Sequence, residues 1–307
     1  MTQIPDKQSF ADDQIDIREL LFALWQGKWL IVICVIVFGI IGAAYAFSQP
    51  NIYKATALLA PAQNEGGSRL GGQLSGLASL AGVDLGGGET NTTAIAKEVL
   101  QSRAFLTRFI RKHGLEAPLL ATKGWDPKTQ EWEYDPELYD YESAEWLQYE
   151  NVKGAMPSAW DLVVAFREKL NMVDNKDNGM ITLSLSSLSP KAAKEWVDWL
   201  IRDINEHMRE QDIEEAEARV EYLEDKLSET SIAGMQQVFY QLIESETRTI
   251  MLASAQREYV FRIIDPAVIP QEPSKPKRIT IVVIAVMLGV FLGFLIVSLK
   301  QLMSRPS

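Results

Sequence analysis

The chain has 307 residues, with 30 Lys and Arg against 41 Asp and Glu, a formal net charge of −11, 47% apolar residues, one cysteine and two histidines. Neutralising phosphate needs clustered Lys and Arg, so an acidic chain without a long basic run is excluded as a nucleic-acid binder. The lone Cys34 cannot form an intrachain disulfide, and His113 and His207 alone are too few for a structural zinc site.

Residues 29–47 read WLIVICVIVFGIIGAAYAF, 19 residues without a charge. At about 1.5 Å each they cover the roughly 30 Å hydrocarbon core of a bilayer, which predicts a first transmembrane helix. Trp25 and Trp29 at one end, and Tyr45, Phe47 and Tyr53 at the other, are placed like interfacial aromatic belts. Ala44-Tyr45-Ala46 resembles a signal-peptide cleavage site. The preceding segment, however, is long and carries Asp6, Asp12, Asp13, Asp16 and Glu19 against Lys7, Arg18 and Lys28, unlike a short positive n-region.

Residues 279–299 (ITIVVIAVMLGVFLGFLIVSL) give a second span, bounded by Lys275, Lys277 and Arg278 before and Lys300 and Arg305 after. Two spans put both short termini, 1–28 and 300–307, on one side and the intervening residues 48–278 on the other. In a bacterial inner membrane the termini are cytoplasmic and the large loop is periplasmic.

Within the loop, residues 51–61 alternate as a strand leaving the membrane. Residues 66–88 hold nine glycines but lack the G-x-x-x-x-G-K-[ST] lysine and hydroxyl of a phosphate cradle, and read as a loop. Ile95, Val99, Leu100, Phe105, Leu106, Phe109 and Ile110 make a helical stripe over 93–113, ended by Gly114. Residues 124–149 (GWDPKTQEWEYDPELYDYESAEWLQY) alternate aromatics with carboxylates. Such a mixture suits a sugar-binding surface, and equally a surface hairpin with turns at Asp126-Pro127 and Asp135-Pro136; the second reading is preferred.

Residues 160–170 form a short helix and 180–188 a strand. Ser189 then suits an N-cap and Pro190 the first helical position of the longest helix, about 190–231. Its early face is apolar at Trp196, Trp199, Leu200, Ile204 and Met208. Beyond Gln211 a narrower stripe of Ile213, Ala216, Val220, Leu223 and Leu227 lies among carboxylates, as in a helix packing against like helices. Ser231 to Gly234 breaks the pattern, a return helix resumes at about 235–258, and 259–264 (YVFRII) is a final strand that can pair with the first. The fold class is an α+β membrane protein: two transmembrane helices flanking an α/β base domain with a long helical arm.

Chemical signals are few. Asp203, His207 and Glu210 share a helix face, but a metal would need more histidines, and a solvated face is preferred. There is no G-x-S-x-G elbow, and the only cysteine lies in a span, so no catalytic residue, cofactor or metal is expected. Asn91-Thr92-Thr93 matches a glycosylation sequon, a weak signal. Gly289 and Gly293 form G-x-x-x-G, and Gly39 with Ala43 and Gly42 with Ala46 make small-x-x-x-small pairs, all of which let helix backbones approach. Pro266, Pro270, Pro273 and Pro276, the last three at spacing three, favour a polyproline II strut, with a plain linker as the even alternative.

The stretches IDIRELLFALWQGKWLIV, NIYKATALLAP and YVFRIIDPAVIPQEPSKPKR, with the glycine-rich segment and the long helix, resemble the Wzz-type chain length determinant family, polysaccharide co-polymerases of bacterial surface glycan assembly. Pro270, Pro273 and Pro276 match the family's P-x-x-P-x-x-P element. The resemblance implies a homo-oligomer in the inner membrane, with Ile213, Val220, Leu223 and Leu227 facing neighbouring copies. It also implies a membrane-embedded polysaccharide polymerase as partner, contact with the growing lipid-linked glycan, and control of polymer length without catalysis. The kinase-bearing branch is not expected, since no Walker motif is present. The alternatives are a two-span helical sensor and an export adaptor.

Overall fold

A computed structural model describes residues 28–62 and 88–304. The expected N-terminal segment, most of the glycine-rich stretch and the extreme tail lie outside the described residues. The described residues divide into two compact units, residues 52–274 and the terminal segments that bracket them in sequence.

The terminal unit is a pair of helices, α1 (Lys28–Ser48) and a C-terminal helix, Arg278–Ser304, packed on each other. Both are long and apolar enough to cross a membrane. Most of their apolar side chains are exposed, Ile40 at 64% and Ile279 at 82%, so they are unlike the buried core helices of a soluble domain.

In residues 52–274 a mixed α/β body forms around one antiparallel sheet. Its strands are β1 (Tyr53–Pro61), β8 (Leu170–Asp174), β9 (Ile181–Ser187) and β10 (Phe261–Asp265), in the order β10-β1-β9-β8. Register puts Ala55 opposite Leu185, Ala57 opposite Leu183 and Leu59 opposite Ile181, so all six buried side chains share one face. The two alanines keep that face shallow enough for a helix to lie on it. The expected first and last strands do pair, and β8, which carries no clear alternation, was not expected.

The stripe over 93–113 is two helices, α2 (Gly88–Gln101) and α3 (Arg103–Lys112), in place of the single one expected. Ser102 is the reason. Its extended backbone breaks the helix and its hydroxyl accepts from the Phe105 N–H, capping the second segment. Gly114, at φ +60°, lets the chain turn into the short α4 (Glu116–Leu120). Helix α5 (Ala159–Lys169) starts with a capping box of Ser158 and Asp161.

The long helix α6 (Pro190–Glu229) has 40 residues and is roughly 60 Å long. It begins as the sequence indicates: the Ser189 hydroxyl accepts from Ala192 N–H and Pro190 sits in the first turn. Its first half seals the core through Trp196, Val197, Leu200, Ile201, Ile204 and Met208. Beyond Met208 only Ala216 is buried, and the partner there is the return helix α7 (Ala233–Ala255). The C-terminal helix of the terminal unit is α8.

Candidate functional site

Four features carry chemistry or mechanical constraint. The first is the α1–α8 contact. A Cβ placed on Gly293 would lie 2.9 Å from the Ile31 Cα, and one on Gly289 3.0 Å from the Cys34 carbonyl and the Val35 Cα. Gly42 meets Ala285 still more closely, whereas Gly39 has ordinary clearance, with Val286 Cγ2 at 3.6 Å. The G-x-x-x-G pair thus closes on the first apolar helix of the same chain. At the end of this pair Arg278 donates to Asn51 Oδ1 at 2.9 Å and covers the Phe47 ring at 5.0 Å.

The second is the proline segment. Residues 266–277 contain neither helix nor a regular strand; Pro266 and Pro273 are exposed and Pro270 and Pro276 half-buried. Ser274 anchors it, its N–H and hydroxyl both donating to the Ile52 carbonyl at 2.8 and 3.0 Å.

The third is the helix face of Asp203. The solvated-face reading fails at Asp203, which is 7% exposed, because Lys112 at the end of α3 and His113, the residue that caps it, fold over it. Lys112 Nζ lies 3.1 Å from one carboxylate oxygen and His113 Nε2 3.0 Å from the other, and the His113 ring stacks on Trp199 at 4.6 Å. Opposite charge and stacking hold this carboxylate in place. Burial, and then the charge of Arg108, push the His207 imidazole below its ordinary value, with Glu210 opposing. Among the described residues no group of three or more His, Cys, Asp or Glu is placed to hold a metal.

The fourth is the aromatic segment. It folds as three small antiparallel ladders: β2 (Thr122–Asp126) with β3 (Glu131–Tyr134), β4 (Tyr139–Asp140) with β5 (Glu145–Trp146), and β6 (Gln148–Tyr149) with β7 (Val152–Lys153). The expected turns are present: Asp126 accepts from Lys128 N–H and Asp135 from Glu137 N–H. The last turn places Glu150 and Asn151 both at positive φ, the backbone of a two-residue hairpin. Cross-strand partners Trp125 and Trp132 sit 5.1 Å apart, and Trp132 stacks on Trp196 of α6 at 6.2 Å, fastening the segment to the core.

Past that anchor Tyr134 and Tyr139 are half-buried and Tyr141 is exposed. Tyr134 lies 5.5 Å from Tyr141 at 17° and 5.3 Å from Tyr139 at 49°. With Trp132, Glu131 and Asp140 they line a cleft of about 420 Å³. Burial pushes the Tyr134 phenol up to about 12, so it stays protonated as a donor. The hydroxyl of Ser143 and the N–H of Glu142 hold the Asp140 carboxyl below its ordinary value.

The expected helix stripe is placed as follows. Ile213, Val220, Leu223 and Leu227 are half-buried on α6, around the buried Ala216. On α7 the half-buried positions include Phe239, Ile243, Glu246 and Ile250, at helical spacing, and Arg219 pairs with Glu246 at 3.0 Å across the two helices. The aromatic cleft and the Asp203 clamp were not read as sites from sequence, although alternating rings and carboxylates were a legible signal for the first.

Residues 13–113 match the family model described as Wzz, chain length determinant protein. Residues 231–302 match a second, described as GNVR, "G-rich domain on putative tyrosine kinase". No curated protein matches the chain. Among solved structures, a full-length bacterial polysaccharide co-polymerase is 13% identical with a TM-score of 0.41, over 94% of this chain and 98% of its own. A fragment of WzzB, a polysaccharide co-polymerase from Salmonella Typhimurium, is 12% identical with a TM-score of 0.30, over 73% of this chain and 100% of its own. The likeness rests on the sequence matches: the first covers the approach to α1, α1 itself and the strand after it, where the stretches IDIRELLFALWQGKWLIV and NIYKATALLAP lie, and it supports a Wzz-type chain length determinant.

Proposed function

We propose that the protein sets the modal length of a lipid-linked surface polysaccharide, such as an O-antigen, by acting as an oligomeric scaffold beside a separate membrane-embedded polymerase. It makes and breaks no bond itself. The observation that carries the reading is the chain length determinant match over residues 13–113, joined to a pair of apolar helices that bracket the folded body in sequence. In this reading α1 and α8 span a bacterial inner membrane, both termini are cytoplasmic and residues 48–278 are periplasmic.

Self-association has a physical basis in the helical arm. Ile213, Val220, Leu223 and Leu227 keep part of their surface open beside α7, and α7 adds Met235, Val238 and Leu242, exposed at 46%, 52% and 45%. Apolar residues at threes and fours on a helix in water favour a second helix of the same kind. Pro266, Pro270, Pro273 and Pro276, which join the folded body to α8 in the chain, limit backbone freedom where a change in assembly would be passed on.

The test is the surface polysaccharide of a deletion strain resolved on a gel. Loss of the modal band cluster, restored by the gene in trans, is expected. A ladder unchanged by deletion overturns the reading, and an export defect with a normal ladder favours an export adaptor instead.

A further inference from the structure

The aromatic cleft is costly to leave in water. Tyr141 is 70% exposed, and it caps the near-parallel face of Tyr134 rather than packing inward. The chain keeps this ledge beside a carboxylate whose geometry is fixed. Asp140 accepts from Glu142 N–H with one oxygen at 3.0 Å and from the Ser143 hydroxyl with the other at 2.8 Å. An ionised carboxylate has about four acceptor positions, so these local bonds hold Asp140 in place without using all of them.

We propose that the cleft formed by Trp132, Tyr134, Tyr139 and Tyr141 with Asp140 and Glu131 binds uncharged pyranose residues of a glycan chain. The inference rests on the reading above and deepens it, since it gives this chain a direct hold on the polymer whose length is set.

Three properties select that ligand class. A pyranose presents a face of C–H groups, which suits the electron-rich face of a tyrosine or tryptophan ring, and its rim of hydroxyls suits carboxylate acceptors. The cleft volume, about 420 Å³, falls in the range that holds small ligands of a few rings. Charge selects against anions: residues 124–149 carry Asp126, Glu131, Glu133, Asp135, Glu137, Asp140, Glu142 and Glu145 against Lys128 alone, so a phosphate or uronate meets repulsion. A quaternary ammonium would be drawn by the same charge, but it calls for rings standing around it as a box. Here Tyr134 and Tyr141 lie at 17° to each other and form a flat step.

The experiment uses the full chain in lipid nanodiscs, titrated with uncharged oligosaccharides of glucose, galactose, mannose and N-acetylglucosamine, four to seven residues long. Binding is read by tryptophan fluorescence and by saturation-transfer NMR. Saturable binding of at least one, weakened about tenfold by Tyr141→Ala and retained by Tyr141→Phe, is expected. No binding by any of them, equal binding by Tyr141→Ala, or displacement of the sugar by choline chloride overturns the site. Chain-length control is read separately from the glycan ladder of the deletion strain. An unchanged ladder sinks the function and leaves the sugar site standing, whereas equal sugar binding by Tyr141→Ala sinks the site alone.

Discussion

Asn205 grips Phe261 by both of its backbone polar groups: the side-chain Nδ2 donates to the Phe261 carbonyl at 2.9 Å and Oδ1 accepts from its N–H at 2.9 Å, with the Val260 N–H at 2.8 Å. Opposite Phe261 in the sheet stands Pro61, which has no N–H to offer. The amide on α6 supplies what the ladder lacks, and the edge strand is tied to the long helix.

Replacing this amide exposes the size of the effect. Asn205→Leu keeps the volume and leaves three buried backbone groups without partners, at a cost of about 3 kcal/mol. Thermal unfolding of the full chain in detergent is expected to shift down by about 6 °C. A variant melting with the wild type would show that these hydrogen bonds are replaced by water.

The helix pair α1–α8 gives a graded test. Gly293→Ala forces a methyl to within 2.9 Å of the Ile31 Cα and is expected to lower the melting temperature in detergent, by a strain of about 1–3 kcal/mol. Gly39→Ala meets only an ordinary contact and is expected to be neutral. Equal effects of the two changes contradict the close approach at residue 293.

His207 sets a pH dependence whose direction is fixed by burial. Its folded value lies below the ordinary 6.5, so the unfolded chain takes up the proton first as pH falls. The contribution of this site is complete above 6.5 and is lost progressively below it. His207→Phe keeps an aromatic ring beside Phe105, which stacks on the imidazole at 5.7 Å, and removes the titration. In urea unfolding, the stability difference between variant and wild type is expected to be constant from pH 8 to 7 and to move in the variant's favour from pH 6.5 to 5. A difference that does not change with pH contradicts this.

The proline segment is tested in cells. Exchanging Pro270, Pro273 and Pro276 together for alanine is expected to change the distribution of polysaccharide lengths at an unchanged protein level. An identical ladder removes the segment from the mechanism and leaves it as a linker.

Features written in local chemistry were legible from the residues. Ser189-Pro190 announced the start of α6, and the uncharged runs announced α1 and α8, because caps and hydropathy act over a few neighbouring positions. Features that depend on a distant partner were not. The apolar stripe continues in phase past Ser102, so periodicity alone could not reveal the break between α2 and α3. Asp203 and Asn205 read as polar positions on a helix, and only the arrival of α3 and of residues 260–261 makes them buried anchors. At the aromatic segment the alternation of rings and acids was visible; which rings pair and which stay open is set by the three short ladders and by the reach of Trp132 to Trp196.

The double hydrogen bond of Ser274 to the Ile52 carbonyl means that residues 52–274 start and finish at a single point. A body whose two ends coincide can be lifted out as a cassette and spliced between any pair of anchors with closely spaced ends. Its own termini could equally be sewn together by a short peptide, with new ones opened in a surface turn of the ladders at 122–153. Architecturally, such a body can be exchanged for another without redesigning what holds it.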